Sequence, residues 1–256
     1  FASLADVVGP RNCLRTPEDI APYATDWRRA VGVAPVAVLR PADTAEVAEA
    51  VRRCVQGGLA IVPAGGRTGL AGGAVALAAG PPAVVLSLER MNRIRSVDAR
   101  DFSIVAEAGC VVQSVQQAAI AVDRLFPIMW GAQGSAMIGG MLGTNAGGIR
   151  TIRWGNAREL VLGLEVVLPD GRVLDDLRRV RKDNSGYALR HLFIGAEGTL
   201  GVITAAAMRL VPPMRAVETG FVAVPSPDAA LSLLSRAMGA GAEVVAFELV
   251  KRICLE

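Results

Sequence analysis

The sequence predicts an α+β chain, on three observations. Residues 36–62 read as strand, helix and strand in succession. Residues 83–210 are rich in apolar runs of strand length. Pro212-Pro213 then punctuates the chain, and residues 220–224, 228–238 and 244–249 read as apolar run, helix and apolar run again. A chain of 256 residues that is 52% hydrophobic can bury one large core or two smaller ones.

In chain order, residues 1–30 read as a peripheral segment, with Thr16-Pro-Glu-Asp19 as a helix start and residues 23–27 as a connection. Residues 36–39 form a strand closed by Arg40-Pro41. Asp43 is the N-cap of the next helix, and Glu46 three residues on completes a capping box. Val47, Ala50, Val51, Cys54 and Val55 recur at helical spacing as a core stripe, and Gly57-Gly58 ends the helix. The strand at 59–62 follows through a right-handed crossover. Residues 83–88 and 103–108 are strands separated by the polar stretch 89–101. Residues 112–122 offer a helix, with Val112, Val115, Ala119 and Val122 on one face. Residues 160–168 and 172–174 flank Pro169-Asp-Gly171, a hairpin signal. A strand-like stretch at 188–194 precedes the strand 202–210, and a domain boundary falls near residue 215.

Composition narrows the function classes. The net charge is +3, and the basic residues are scattered apart from Arg178-Arg179-Val-Arg-Lys182, which argues against nucleic acid as a partner. Two Tyr, three Trp and six Phe are too few and too dispersed for base-stacking platforms. Cys13, Cys54, Cys110 and Cys254 lie far apart with no CxxC, against structural zinc and a disulfide framework. A reducing compartment fits, the cytoplasm, with peripheral attachment at an inner membrane left open. No signal peptide or membrane span is predicted from these residues: the apolar stretch 70–88 is broken by Gly72, Gly73, Gly80, Pro81 and Pro82. The sequence begins at Phe1 without Met and stops inside a fresh helical pattern at 252–256, which predicts a piece of a longer protein.

Function concentrates in three glycine-rich runs. Pro63-Ala-Gly-Gly-Arg-Thr-Gly-Leu-Ala-Gly-Gly73 follows the strand-like Leu59-Ala-Ile-Val62, and five of its eleven residues are glycine. Such a loop can turn several N–H groups toward one anion, with a diphosphate as the natural occupant and Thr68 and Arg67 beside it. A glycine-rich turn with no ligand fits the same residues. No G-x-G-x-x-G or GxxxxGK[ST] occurs, and the loop follows the second strand, so neither a Rossmann unit nor a P-loop is predicted. The second run, residues 131–148, carries seven glycines in eighteen residues, with Ser135, Thr144 and Asn145 among its few polar side chains. It suits close backbone approach to a flat, largely apolar ligand with polar edges. The third run is Gly195-Ala-Glu-Gly-Thr-Leu-Gly201.

Three motifs in order carry a family resemblance: Pro63-Ala-Gly-Gly-Arg-Thr-Gly-Leu70; Gly134-Ser-Ala-Met-Ile-Gly-Gly140 with Thr144-Asn-Ala-Gly-Gly148; and Arg181-Lys-Asp-Asn-Ser-Gly-Tyr187 with Leu192-Phe-Ile-Gly-Ala-Glu-Gly-Thr-Leu-Gly-Val-Ile-Thr204. Together they resemble the FAD-binding domain of the p-cresol methylhydroxylase / vanillyl-alcohol oxidase flavoprotein superfamily. More narrowly, they resemble its branch of D-lactate and D-2-hydroxyglutarate dehydrogenases and the flavin subunit of glycolate oxidase. The likeness covers roughly residues 20–256. It implies a PCMH-type fold of two subdomains, about 1–90 and 91–215, followed from 216 to 256 by the start of an incomplete α+β cap domain. FAD would lie between the subdomains. By the resemblance, Pro63, Ala64, Gly65, Gly66, Arg67, Thr68, Gly69 and Leu70 would hold the diphosphate. Gly134, Ser135, Ile138, Gly139, Gly140, Thr144, Asn145, Gly147 and Gly148 would line the central and flavin regions. Glu197, Gly198, Gly201, Val202 and Ile203 would sit near the adenine or diphosphate end.

Relatives with covalent flavin carry His after the Gly-Gly of the first loop; here Arg67 stands there, which implies non-covalent FAD. The sole histidine, His191, reads as structural, and Cys110 is not read as a flavin ligand. The resemblance implies oxidation of a D-2-hydroxy acid (lactate, 2-hydroxyglutarate or glycolate type) to the 2-oxo acid. Electrons would pass through flavin to a quinone, a cytochrome or an electron-transfer flavoprotein; a homodimer is allowed. The base, the carboxylate clamp and any divalent metal would come from the cap downstream, so no catalytic residue or metal ligand is assigned here. Arg150, Arg153, Arg181 and Lys182 are candidates to face the flavin or the substrate entrance, or else are solvated surface. The chain departs from the resembled branch at Trp130, where a small residue is usual, and at Trp154, where Tyr is commoner. The other reading is a flavin-carrying electron-transfer subunit of a larger complex without its own substrate site.

Overall fold

The structure is a computed structural model describing residues 2–29, 31–241 and 243–255. Strands β1 (Cys13–Leu14), β2 (Ala37–Leu39), β3 (Ala60–Ala64) and β4 (Ala83–Ser87) make one sheet in the order β1-β2-β4-β3. β2, β4 and β3 run parallel, and β1 closes the edge antiparallel. Asp43 caps the connecting helix Thr44–Gln56 by accepting from Glu46 N at 2.9 Å. The Glu46 carboxylate reaches back to Ala42 N at 2.7 Å, one residue earlier than a standard capping box. The helix stripe Val47, Ala50, Val51 and Cys54 is buried against Leu39, Val84 and Leu86. Each large side chain so buried stabilises by about 1.5–3 kcal/mol.

Strands β5 (Ile94–Asp98), β6 (Ser103–Glu107), β7 (Val161–Val167), β8 (Val173–Asp176) and β9 (Val202–Arg209) form the second sheet in the order β5-β6-β9-β7-β8, antiparallel throughout. The helices Val112–Ile120 and Ile138–Gly143 and the buried Phe126 pack on it. Pro169-Asp-Gly171 makes the β7–β8 hairpin, where Leu168 N donates to Arg172 O at 2.8 Å. Val167 and Val202 of this sheet extend into the core of the first one, so the two sheets share packing at that point.

Four expectations fail for identifiable reasons. The polar stretch 89–101 contains β5, whose Ile94 and Val97 pack on the core while Arg95 finds buried acids across the sheet. The strand-like stretch around His191 holds the helix Arg190–Phe193, because no neighbouring strand takes up its ladder groups. Residues 220–224 and 244–249 form no strand among the described residues, and Phe221 stays 88% exposed; only the helix Pro227–Gly239 forms between them. The opening segment is not peripheral throughout: the helix Ala2–Val8 buries Leu4 and Val8 in the first core.

A polar staple joins the sheets. Thr44 at the start of the helix Thr44–Gln56 donates to Glu165 on β7 at 2.6 Å, and Thr204 on β9 donates to the same carboxylate at 2.8 Å. Arg95 spans Glu165 and Glu107, at 3.0 and 3.3 Å. Arg93 adds a 2.8 Å pair to Glu107, whose side chain is wholly buried. Burial pushes the Glu107 carboxyl up, but the bonds from Arg93 and the charge of Arg95 outweigh it and hold it below the ordinary 4.5. Its folded pKa is depressed, so its stabilisation is complete above 4.5 and is lost as pH falls through the folded value. Thermal unfolding should therefore be flat down to about pH 5 and fall steeply below it. Glu107→Gln should cost about 3 kcal/mol at neutral pH and flatten that acid slope. Melting curves of both proteins across pH check this, and an unchanged slope in the variant would contradict it.

Candidate functional site

β3 delivers the first glycine run into a junction with the other two. A Cβ at Gly66 would collide with the Ser135 carbonyl, so only glycine lets these two backbones touch. Gly65 lies against Met137 and the Gly140 N–H. The third run docks on the second through Gly195 N to Leu142 O at 3.0 Å and Glu197 N to Gly143 O at 2.9 Å. It also closes on the first, with Gly198 against the Pro63 ring and the Glu197 carboxylate against Gly73. Each run holds one non-glycine residue in the left-handed region: Arg67 at φ 51°, Asn145 at φ 48° and Glu197 at φ 49°. Such conformations cost about 1–2 kcal/mol each and cluster at ligand sites.

The three runs enclose a cavity of about 390 Å³, within the usual range for small-molecule sites. Its wall takes Pro63, Ala64, Gly65, Gly66, Arg67, Thr68, Gly69 and Leu70 from the first run. It takes Gly139, Gly140 and Thr144 from the second, Glu197, Gly198 and Gly201 from the third, and Val202 and Ile203 from the start of β9. Six sequence candidates do not line it. Gly134 packs by Gln113, Ser135 backs Gly66, and Ile138 is buried in the core. Asn145 accepts from Arg158 N at 2.9 Å, Gly147 packs by Asn156, and Gly148 lies on the Met129 backbone. These six stand off the wall, Ile138 in the core and Gly134 and Ser135 at the surface.

Sequence reasoning did not name Leu88, Ala108, Ala136, Met137 and Met141, which also line the cavity, as do Ala71, Gly73, Ala74, Gly143 and Ala146 of the glycine-rich stretches. They carry no polar signature, and Ala108 is placed by long-range backbone bonds, from its own N to Thr204 O at 2.9 Å and from Gly139 N to its carbonyl at 2.7 Å. Trp130 lines the cavity as its one aromatic residue. Among the described residues of the wall, Arg67 is the one cation and Glu197 the one anion. Arg67 stacks over the Tyr23 ring at 4.1 Å and donates to Pro22 O at 2.7 Å.

The other basic candidates lie off the wall. Arg153 pairs with Glu243 at 2.8 Å and stacks on Trp154, and Arg181 stacks on Phe102. Arg150 is half-buried beside Trp154, where burial lowers its pKa, and Lys182 sits in an exposed loop. Cys110 lies in the second core, its thiol pushed up to about 11 by burial. His191 is largely exposed, and partial desolvation together with the charges of Arg190 and Arg158 lowers its pKa. No helix among the described residues is long and apolar enough to cross a membrane.

Small residues, one guanidinium and glycine backbone at two walls fit an extended dinucleotide with an anionic centre and a flat apolar end. The comparisons agree. The chain is 40% identical to "D-2-hydroxyglutarate dehydrogenase, mitochondrial" of Bos taurus over 257 residues, 100% of this chain and 46% of that protein. It is 40% identical over 254 residues to a D-2-hydroxyglutarate dehydrogenase of Xanthomonas citri pv. viticola, 99% of this chain and 53% of the other. The chain thus spans about half the length of these curated relatives. Among solved structures, an alkyldihydroxyacetonephosphate synthase superposes with a TM-score of 0.74 at 21% identity, over 84% of this chain and 41% of that one. At that identity the likeness shows the fold. Residues 35–176, more than half of the chain, match the family described as FAD binding domain, and the chain belongs to that family.

Proposed function

We propose that this chain is the FAD-carrying part of an oxidoreductase that oxidises a D-2-hydroxy acid to the 2-oxo acid. The observation that carries the reading is the meeting of three sequence-distant glycine runs around one cavity. In this reading FAD is held without a covalent bond. The backbone of residues 64–70 and the Arg67 guanidinium complement the diphosphate. Gly139, Gly140 and Thr144 line the middle, and Glu197, Gly198 and Gly201 take the opposite wall. When bound, the flavin supplies a two-electron acceptor. The protein's own part is to orient it and to keep water from it with Leu88, Met137, Met141 and Val202.

Within the same proposal, residues 1–90 and 91–215 act as the two subdomains gripping the cofactor, and residues 216–256 begin the cap. The base and carboxylate clamp come from beyond this cavity, whose wall holds no histidine. The electrons leave to a quinone, a cytochrome or an electron-transfer flavoprotein. We place the protein in a reducing interior, without excluding the mitochondrial address in the names of several relatives. A homodimer belongs to the same proposal.

Anaerobic addition of D-2-hydroxyglutarate, D-lactate or glycolate to the full-length protein should bleach the flavin absorbance. Failure with all three would favour a flavin-carrying electron-transfer subunit without its own substrate site. Gly66→Ala should weaken FAD binding at least about tenfold, because the loop must withdraw from Ser135 to admit the methyl group; flavin fluorescence titration measures it. Trp130 emission should be quenched on FAD binding, and Trp130→Phe in the same titration should remove most of the quenched signal. Quenching that survives the substitution would place the flavin away from that wall.

A further inference from the structure

Tyr23 lies twelve residues before the family-matched stretch, which begins at residue 35, and nothing in that match gives it a role. It is nevertheless 7% exposed and sits directly beneath the one cation of the cavity. The Arg67 guanidinium lies 4.1 Å from the Tyr23 ring centroid, over its face. The same guanidinium donates to the carbonyl of Pro22, Tyr23's neighbour, at 2.7 Å. The ring is fixed in turn: its hydroxyl donates to the Glu89 carboxylate, with oxygens at 3.2 and 3.3 Å, and Glu89 pairs with Arg40 at 3.2 Å. Glu89 follows β4, and Arg40 follows β2, so the relay ends on the parallel sheet. The surrounding segment grips the same loop elsewhere, since Val33 pairs with Ala76 and Val31 packs on Gly72.

Arg67 requires such a hold. Its backbone is left-handed, which a non-glycine residue adopts only where the surroundings impose it. Its long side chain would otherwise sample many rotamers, and immobilising such a side chain costs binding free energy. Stacking on a buried ring and a bond to a fixed carbonyl meet that cost before the ligand arrives.

We propose that Tyr23 is a positioning residue of the cofactor site, holding the Arg67 guanidinium at the cavity wall for the anionic diphosphate of FAD. This rests on the flavin reading above. The ring acts on Arg67, and the hydroxyl acts on the ring through Glu89 and Arg40.

The test is FAD titration of the full-length protein, freed of cofactor, read by flavin fluorescence and by the visible circular dichroism of bound flavin. Tyr23→Phe keeps the ring and should bind FAD within about threefold of the parent. Tyr23→Leu removes the stack and should weaken binding about tenfold, as should Arg67→Met. Tyr23→Leu combined with Arg67→Met should bind no worse than Arg67→Met alone, because both changes remove one interaction. Additive losses would overturn the proposal, since a ring with a merely structural role would weaken binding whether or not Arg67 is present. Parent-like binding by Tyr23→Leu would overturn it as well. No binding of FAD by the parent protein would instead sink the flavin reading on which the proposal stands. Melting temperatures of each variant without FAD separate lost affinity from lost fold.

Discussion

The constraint on which the site depends is the approach of two backbones, at Gly66 and Ser135. They belong to opposite halves of the chain: β3 feeds the first loop, and the second run returns along the helix Val112–Ile120 toward Ile138–Gly143. No side chain fits between them, so the first loop is seated main chain against main chain at that point. Main chain supplies N–H groups at fixed positions without rotamer entropy, which suits an anion that must be held along its length. The third run then attaches to the second by its own backbone bonds, at Gly195 and Glu197. The cavity is therefore built from peptide groups, and its side chains are mostly small fillers.

A junction of that kind tolerates little relative movement of the two sheets. The staple of Thr44, Glu165, Thr204, Arg95 and Glu107 answers this requirement by different means. Its carboxylates are buried and bonded by donors from the helix Thr44–Gln56, β5 and β9 together. Breaking one arm would leave a charge in a desolvated place, so the arrangement is fixed more by the cost of leaving it than by net gain. Apolar packing of Val167 and Val202 with the first core fills the same boundary without directional preference. The polar staple sets the register and the apolar contact supplies the cohesion.

Much of this was legible in the sequence, and what was not shares one cause. The Asp43 cap, the Pro169-Asp-Gly171 hairpin and the helix stripe Val47, Ala50, Val51 and Cys54 are local, and short-range rules find them; Val55, expected in the same stripe, turns to the surface at 54% exposure. The glycine runs were legible as candidates because seven glycines in eighteen residues exceed what a bend needs. β5 was hidden because its Arg95 looks solvated until Glu107 on the next strand and Glu165, seventy residues on, are placed beside it. The helix around His191 and the bare segments 220–224 and 244–249 failed because strand formation is decided by a neighbour, which apolar content alone does not reveal. Of the motif residues, Ile138, Asn145 and Gly148 sit behind the wall: a motif marks where the chain passes, and burial decides which face it shows.

The same logic explains why the opening segment was misread. Tyr23 and Val33 have no periodic pattern, and their partners Arg67 and Ala76 are more than forty residues away. A glycine-rich loop has few side chains with which to hold itself, and its freedom in the unfolded chain makes ordering it costly. Its order must then be imposed from outside. β3 and Ser135 do so on one side, and the opening segment does so on the other. The flexibility that lets the loop approach a ligand is what obliges residues beyond the matched domain to brace it.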